Sequence, residues 1–176
     1  MKNFFKKMKR SKGFALLFAV LASSLLLSIG LSIFTLTVKE LTLSAYGRES
    51  QFSFYAADSG AECALYWDIK GNSGQTFATS SSDMTGASSI MCGNTSLPLT
   101  VVSSDSRNET ETFSMPLNDI ANTSYCAVVI ISKTDPNGTG LSATAIDSRG
   151  YNVCNSSAQP TWGNPNLVER ALKVSY

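Results

Sequence analysis

The sequence predicts an α+β fold in which one long N-terminal helix, at about residues 14–70, packs its C-terminal half on an antiparallel sheet of four to five strands. Two observations carry this prediction. An uncharged run is followed, without a proline, by helical spacing of apolar residues up to a glycine-rich stretch at 71–74. The remainder of the 176-residue chain holds several strand-like runs separated by turn residues, which suits one domain behind an N-terminal segment.

The uncharged run extends from Phe14 to Val38 and comprises 25 residues, most of them Leu, Ile, Phe, Val and Ala. As a helix it would span about 38 Å, which is enough to cross a hydrocarbon core of about 30 Å. The apolar part of a secretory signal is shorter, usually about 7 to 15 residues. We therefore expect a retained transmembrane or assembly helix at 14–38 rather than a discarded signal peptide.

A basic segment precedes this run. Six of the 14 positive charges lie in the first twelve residues, and the rest of the chain keeps eight basic against 13 acidic residues. A basic flank beside an apolar segment is typical of the end that stays in the cytoplasm. A nucleic-acid-binding protein would carry its basic patch on the folded part, so no nucleic-acid contact is predicted.

Amphipathic spacing continues beyond Lys39 and Glu40. Apolar or small residues recur three, four or seven positions apart, which predicts an amphipathic helix at 39–70 within a globular domain at 39–176. The residues of this stripe, which we expect to face the core, are Leu41, Ala45, Phe52, Tyr55, Ser59, Cys63 and Tyr66.

The second half of the chain supplies the strands of the predicted sheet. The β-branched run YCAVVIIS is typical of a central strand, and the Asp-Pro-Asn-Gly turn at 135–138 predicts that it forms a hairpin with the alternating LSATAID. Residues 75–96, rich in Ser, Thr and Gly, are expected to form a long surface loop. The strand-like runs are Leu97–Ser103, Thr110–Leu117, Tyr125–Ser132, Leu141–Asp147 and Val168–Tyr176.

Four cysteines are present and histidine is absent. The cysteine spacings of 29, 34 and 28 match no zinc pattern, and an even number in an exported protein indicates two disulfides. Three connectivities are possible. We favour Cys126–Cys154, because both residues flank one hairpin, which leaves Cys63–Cys92.

The lack of histidine excludes Ser-His-Asp and Cys-His catalysis and every histidine-dependent metal site. No glycine-rich phosphate loop or convincing nucleophile is found either. The sequence therefore predicts no enzymatic activity, no cofactor and no metal site.

The N-terminal stretch resembles a type IV prepilin, with a short basic leader that ends in Lys12-Gly13 and a uniform apolar helix that begins at Phe14. The segment Ser50–Asp68, SQFSFYAADSGAECALYWD, resembles the AADSGAE helix of PilX-type minor pilins. The two matches cover about residues 9–68, a third of the chain. The resemblance implies that a prepilin peptidase removes residues 1–13 by cutting between Gly13 and Phe14, and that it methylates Phe14.

The same resemblance implies a minor pilin or pseudopilin. Such a protein is inserted in the cytoplasmic (inner) membrane as a single-pass prepilin with an exterior C-terminus. With the inner-membrane assembly machinery it is then built, against other pilin subunits, into a pilus on the cell surface. We therefore expect the lipid bilayer, the peptidase, the assembly machinery and sister subunits as partners.

One residue departs from the family pattern. Phe18 occupies the fifth position after the implied cut, where most pilins have a glutamate that meets the N-terminal amine of a neighbouring subunit. A buried carboxylate is costly unless it is paired, so we expect a position at the filament tip or in initiation. Two alternatives remain open: a single-span anchored extracytoplasmic binding domain that does not polymerise, and a membrane-tethered enzyme.

Overall fold

The computed structural model describes residues 12–71, 76–79, 88–118, 124–135 and 143–176. The chain divides into two compact units, Met1–Ala45 and Tyr46–Tyr176. One helix, α1 (Lys12–Ile69), belongs to both units and ends within a residue of its predicted end. The strands are β1 (Ser89–Cys92), β2 (Thr95–Pro98), β3 (Thr100–Ser104), β4 (Asn108–Asn118), β5 (Ser124–Thr134), β6 (Ala143–Tyr151) and β7 (Glu169–Ser175).

Strands β3 to β7 form one five-stranded antiparallel sheet in chain order, and β1 and β2 form a separate hairpin. The predicted α+β fold is therefore confirmed. Strand β5 lies at the centre of the large sheet, between β4 and β6, and its β-branched residues Val129 and Ile131 are buried, as a central strand requires. The predicted turn at 136–138 lies outside the described residues.

The expected surface loop at 75–96 is wrong for the residues that the structure describes. Phe77 and Ile90 are 2 % and 1 % exposed, and β1 and β2 turn tightly at Gly93, whose φ of +60° suits glycine. The segment is rich in Ser and Thr, so its composition did not predict that these isolated apolar residues would be buried.

The strand expected at 97–103 is also divided between two elements. Pro98 ends β2, because proline has no N–H to continue the ladder, and Thr100 begins β3 at the edge of the large sheet. Residues of a single strand-like run thus lie in two different sheets.

The core of the unit Tyr46–Tyr176 lies between α1 and the large sheet. The sheet contributes large side chains such as Phe113, Val129 and Ile146, whereas the helix contributes small ones. The buried helix residues are Ser53, Ala56, Ala57, Gly60, Ala61, Ala64 and Asp68.

The predicted core stripe on the helix is therefore right only in part: Cys63 packs against the core cluster and the Phe52 ring stacks on Tyr125, whereas three other large members are exposed. Leu41, Tyr55 and Tyr66 are 67, 62 and 60 % exposed. Small residues form the fully buried face of the helix within the globular unit, because helix and sheet approach closely there. A Cβ on Gly150 of β6 would lie 1.9 Å from the Ser53 carbonyl oxygen, so only glycine fits.

Two disulfides fasten this arrangement, and they are the pairs that the sequence favoured. Cys63–Cys92 joins α1 to β1, and Cys126–Cys154 joins β5 to the segment after β6. A hydrogen bond reinforces the first link, since the Trp67 indole N–H donates to the Met91 carbonyl at 2.8 Å.

Candidate functional site: the apolar segment of the long helix

The helix residues of the unit Met1–Ala45 present a continuous apolar surface. Every Leu, Ile, Val and Phe from Phe14 to Leu43 is at least 46 % exposed. A soluble monomer rarely exposes an apolar patch of this extent. The surface therefore calls for an apolar environment, which is either lipid or other protein.

Six of the serine and threonine hydroxyls in this segment hydrogen bond within the helix itself. Ser23 and Ser24 donate their hydroxyls to the carbonyl oxygens of Val20 and Leu21, both at 2.9 Å. Ser32, Thr35, Thr37 and Thr42 make the same kind of bond at 2.9 Å, three or four residues back along the helix. In an apolar medium each unpaired hydroxyl would be costly, so these bonds suit the segment to such a medium.

Length and composition make α1 compatible with one membrane span. The stretch Phe14–Ile69 contains an 18-residue window that is apolar enough to cross a bilayer, and no part of that window is buried. This agrees with the expectation of a single-pass membrane protein.

The residues of the implied processing and assembly site lie at the start of α1. Gly13 is within the first turn of the helix, and Phe14 is 72 % exposed. Phe18 is 65 % exposed and lies one turn later, on the same helix face as Phe14. The leader up to Ser11 lies outside the described residues.

The globular unit contains a buried ion pair that sequence reasoning missed. The Lys133 ammonium lies 2.5 Å from the Asp68 carboxylate, and both side chains are at most 7 % exposed. The Tyr176 hydroxyl donates to the other Asp68 oxygen at 2.6 Å. Burial, followed by this carboxylate, raises the pKa of Tyr176, which therefore stays neutral.

Two further buried carboxylates, Glu109 and Glu111, lie on β4 beside this pair. Burial, followed by the neighbouring Glu109, raises the pKa of Glu111 from 4.5 to about 7. The signal in the sequence was the alternation Glu109, Glu111, Phe113, Met115, which places both acids on the core face of the strand.

A groove of about 750 Å³ lies between α1, the β1–β2 hairpin and β4. Tyr66, Met91 and Leu117 give it an apolar lining, and among the described residues that line it only Glu62 is acidic. Asp58 and Glu62 of α1 are half-buried and exposed respectively.

The Asp147 carboxylate of β6 forms ion pairs with Arg149 at 3.1 Å and with Lys173 at 3.6 Å. Among the described residues, no group of three or more Cys, Asp or Glu side chains is arranged to hold a metal ion.

No family model, no curated protein and no solved structure matches this chain.

Proposed function

We propose that the protein is a minor pilin or pseudopilin, inserted in the membrane by its apolar helix and then incorporated into a type IV pilus-like filament. The observation that carries the proposal is the exposed apolar surface from Phe14 to Leu43 on the same helix that builds the core of a small α+β unit. A subunit of this kind needs lipid before assembly and the apolar helices of other subunits afterwards. No catalytic activity or cofactor is part of this proposal.

The junction between Gly13 and Phe14 is the proposed cleavage site of a prepilin peptidase. The full chain, co-expressed with such a peptidase in membranes, should yield a mature protein that starts at a methylated Phe14, as read by intact mass. The matched control is Gly13→Leu, in which a bulky side chain replaces the glycine before the cut and which should keep Met1. Coexpression without the peptidase should also leave the chain intact.

An uncut wild-type chain in the presence of the peptidase would contradict the proposal and favour the second candidate, a single-span anchored binding domain that does not polymerise. The groove between α1 and the β1–β2 hairpin, with its exposed Tyr66 and Met91, is the feature that favours this candidate. A mature start near Tyr46 would instead indicate ordinary secretion.

Phe18 is the proposed reason for a position at the filament tip or in initiation. An apolar side chain there leaves this subunit without the carboxylate that would bind the amine of a neighbour, while its own amine at Phe14 stays free to bind a neighbour's glutamate. Phe18→Glu should therefore move the protein into the shaft or change pilus number, as scored by immunogold labelling. Phe18→Leu is the matched control. Unchanged pilus number, with labelling already uniform along the filaments, would contradict this part of the proposal.

A further inference from the structure

The C-terminal end of α1 faces a cluster of buried ionisable groups whose charges do not balance. Among the described residues of this cluster, Asp68, Glu109 and Glu111 are three carboxylates, and Lys133 is the one ammonium group. All four residues are at most 7 % exposed. Burying a charge is costly unless it is paired, so the excess negative charge must be accounted for.

The ammonium group is committed to the helix. Lys133, on β5, forms its ion pair with Asp68 of α1, and the Tyr176 hydroxyl binds the same carboxylate. Thr144 of β6, opposite Lys133 in the sheet, is buried and brings no charge. Lys133 also neighbours Glu109 and weakly stabilises an ionised Glu111, but it cannot neutralise three carboxylates.

The two carboxylates of β4 differ in their own partners. Glu109 accepts a hydrogen bond from the Ser104 hydroxyl of β3 at 3.1 Å. Glu111 accepts one from the backbone N–H of Ala78, but its Oε2 is buried without any partner. The two side chains share one face of the strand about 7 Å apart along it, and the charge of Glu109 disfavours ionisation of Glu111.

A metal ion or a proton would neutralise this excess charge. The described residues hold no group of three or more Cys, Asp or Glu side chains arranged for a metal ion. A proton needs only one oxygen that is out of contact with other donors, and the Oε2 atom of Glu111 meets that condition.

We propose that Glu111 is a proton-operated latch, which is protonated while the segment 76–79 is closed on β4 and which releases that segment when the proton leaves. Within the segment, Thr76, Phe77 and Ala78 are at most 5 % exposed, and Phe77 belongs to the main core cluster. The hydrogen bond from the Ala78 amide alone favours the ionised carboxylate, and the opposing effect of burial is larger; the latch therefore operates through the burial of Glu111 beneath this segment. Opening of this contact gives the ionised carboxylate access to water, at the cost of exposing Phe77.

The direction of the pH dependence follows from proton binding. Because burial raises the pKa of Glu111 to about 7, the folded unit holds a proton that the unfolded chain has already lost. Between about pH 4.5 and 7 the folded state thus binds more protons, so its stability falls as the pH rises. Below this window the latch adds full stability, and above it the contribution is absent. Tyr176, with its raised pKa, does not titrate in this window.

Hydrogen exchange of the full-length protein in detergent micelles tests the latch. We expect peptides that cover 76–79 to exchange at least about tenfold faster in the wild type than in Glu111→Gln at pH 8, with equal rates at pH 5. Comparison at the same pH removes the intrinsic pH dependence of exchange. Glu62→Gln, an exposed glutamate on α1, is the matched control and should behave as the wild type.

Thermal unfolding at a series of pH values provides the second measurement. The midpoint temperature of the wild type should decrease as the pH rises from 5 to 8, and that of Glu111→Gln should stay constant. Glu109→Gln should shift this decrease in the midpoint to lower pH, because it removes the neighbouring charge that disfavours ionisation of Glu111. Equal exchange of 76–79 in wild type and Glu111→Gln at pH 8 would overturn the proposal. If Glu111→Gln does not fold, a Glu109→Gln curve identical to the wild type would overturn it.

Discussion

Two parts of the same helix use opposite kinds of side chain for opposite purposes. From Phe14 to Leu43, α1 exposes large apolar residues, whereas from Ser53 to Ala64 its buried positions hold serine, alanine and glycine. In the globular unit the large residues come from the sheet instead. The apolar character of a helix residue therefore does not decide whether it is buried, because close backbone approach selects for size.

Close approach also gives the buried part of the helix polar contacts to the sheet. The Ser148 hydroxyl of β6 donates to the Ala57 carbonyl at 2.6 Å, and the Ser53 hydroxyl lies 3.1 Å from the Val168 carbonyl. The contact should thus tolerate no added atoms, whereas the exposed part of the helix should tolerate many. Gly→Ala substitutions, which add one carbon, measure this contrast directly.

The largest effect is expected for Gly150→Ala. The new Cβ would lie 1.9 Å from the Ser53 carbonyl oxygen and 2.5 Å from the Ala57 nitrogen, and backbone atoms cannot rotate away. We expect a loss of more than about 4 kcal/mol of unfolding free energy, or no folded unit. Denaturant unfolding in micelles measures it. A loss below about 1 kcal/mol would show that helix and sheet separate easily.

Removal of a disulfide comes next. Cys63→Ala/Cys92→Ala opens a loop with a sequence separation of 29 residues that joins the buried part of α1 to β1. The loss of the constraint on the unfolded chain should cost roughly 3 to 4 kcal/mol. Cys126→Ala/Cys154→Ala, with a separation of 28, is a comparison of nearly equal loop length that leaves α1 untouched. A clearly smaller loss for the first pair would mean that the helix contact holds without its covalent link.

Gly60→Ala should have an intermediate effect. Its Cβ would meet the Ser148 Oγ at 2.7 Å, the Val129 Cγ2 at 2.8 Å and the Ala127 Cβ at 2.9 Å. These are side-chain atoms that can shift, and alanine gains about 1 kcal/mol of helix propensity, so we expect a net loss of about 1 to 2 kcal/mol. An increase in the unfolding free energy measured in urea would show that the interface between helix and sheet accommodates the added methyl group.

Gly47→Ala should have the smallest effect, and of the opposite sign. Nothing lies within 4 Å of a Cβ at this helical position. Alanine should therefore stabilise the unit by about 0.5 to 1 kcal/mol through helix propensity alone. Gly30→Ala, at an equally open position in the other unit, is the control and should leave the unfolding midpoint of the globular unit unchanged. Destabilisation by Gly47→Ala would reveal a contact at that face.

The sequence was sufficient for the elements whose pattern is local. The proline-free run to Lys70 predicted the helix, and the β-branched run at 125–132 predicted the central strand. The pair Cys126–Cys154 followed from its position around one hairpin, and Cys63–Cys92 was the pair that remained. The implied cut at Gly13 and the role of Phe18 remain predictions.

Contacts between residues that are distant in the chain could not be predicted from local sequence patterns. Asp68, Glu111 and Lys133 are far apart in the chain, and only the register of β4 with β5 and the end of α1 bring them together. The predicted helix face was only partly right for a related reason. A period of 3.6 residues finds an apolar stripe, but it does not reveal that Gly150 lets the opposite, small-residue face come closer.

The self-contained hydroxyls of Ser23, Thr37 and their neighbours have a final consequence. Whatever surrounds this part of the helix, these hydroxyl groups keep the same hydrogen-bond partners when the surroundings change. Transfer from acyl chains to a bundle of helices, in either direction, would then break none of these hydrogen bonds.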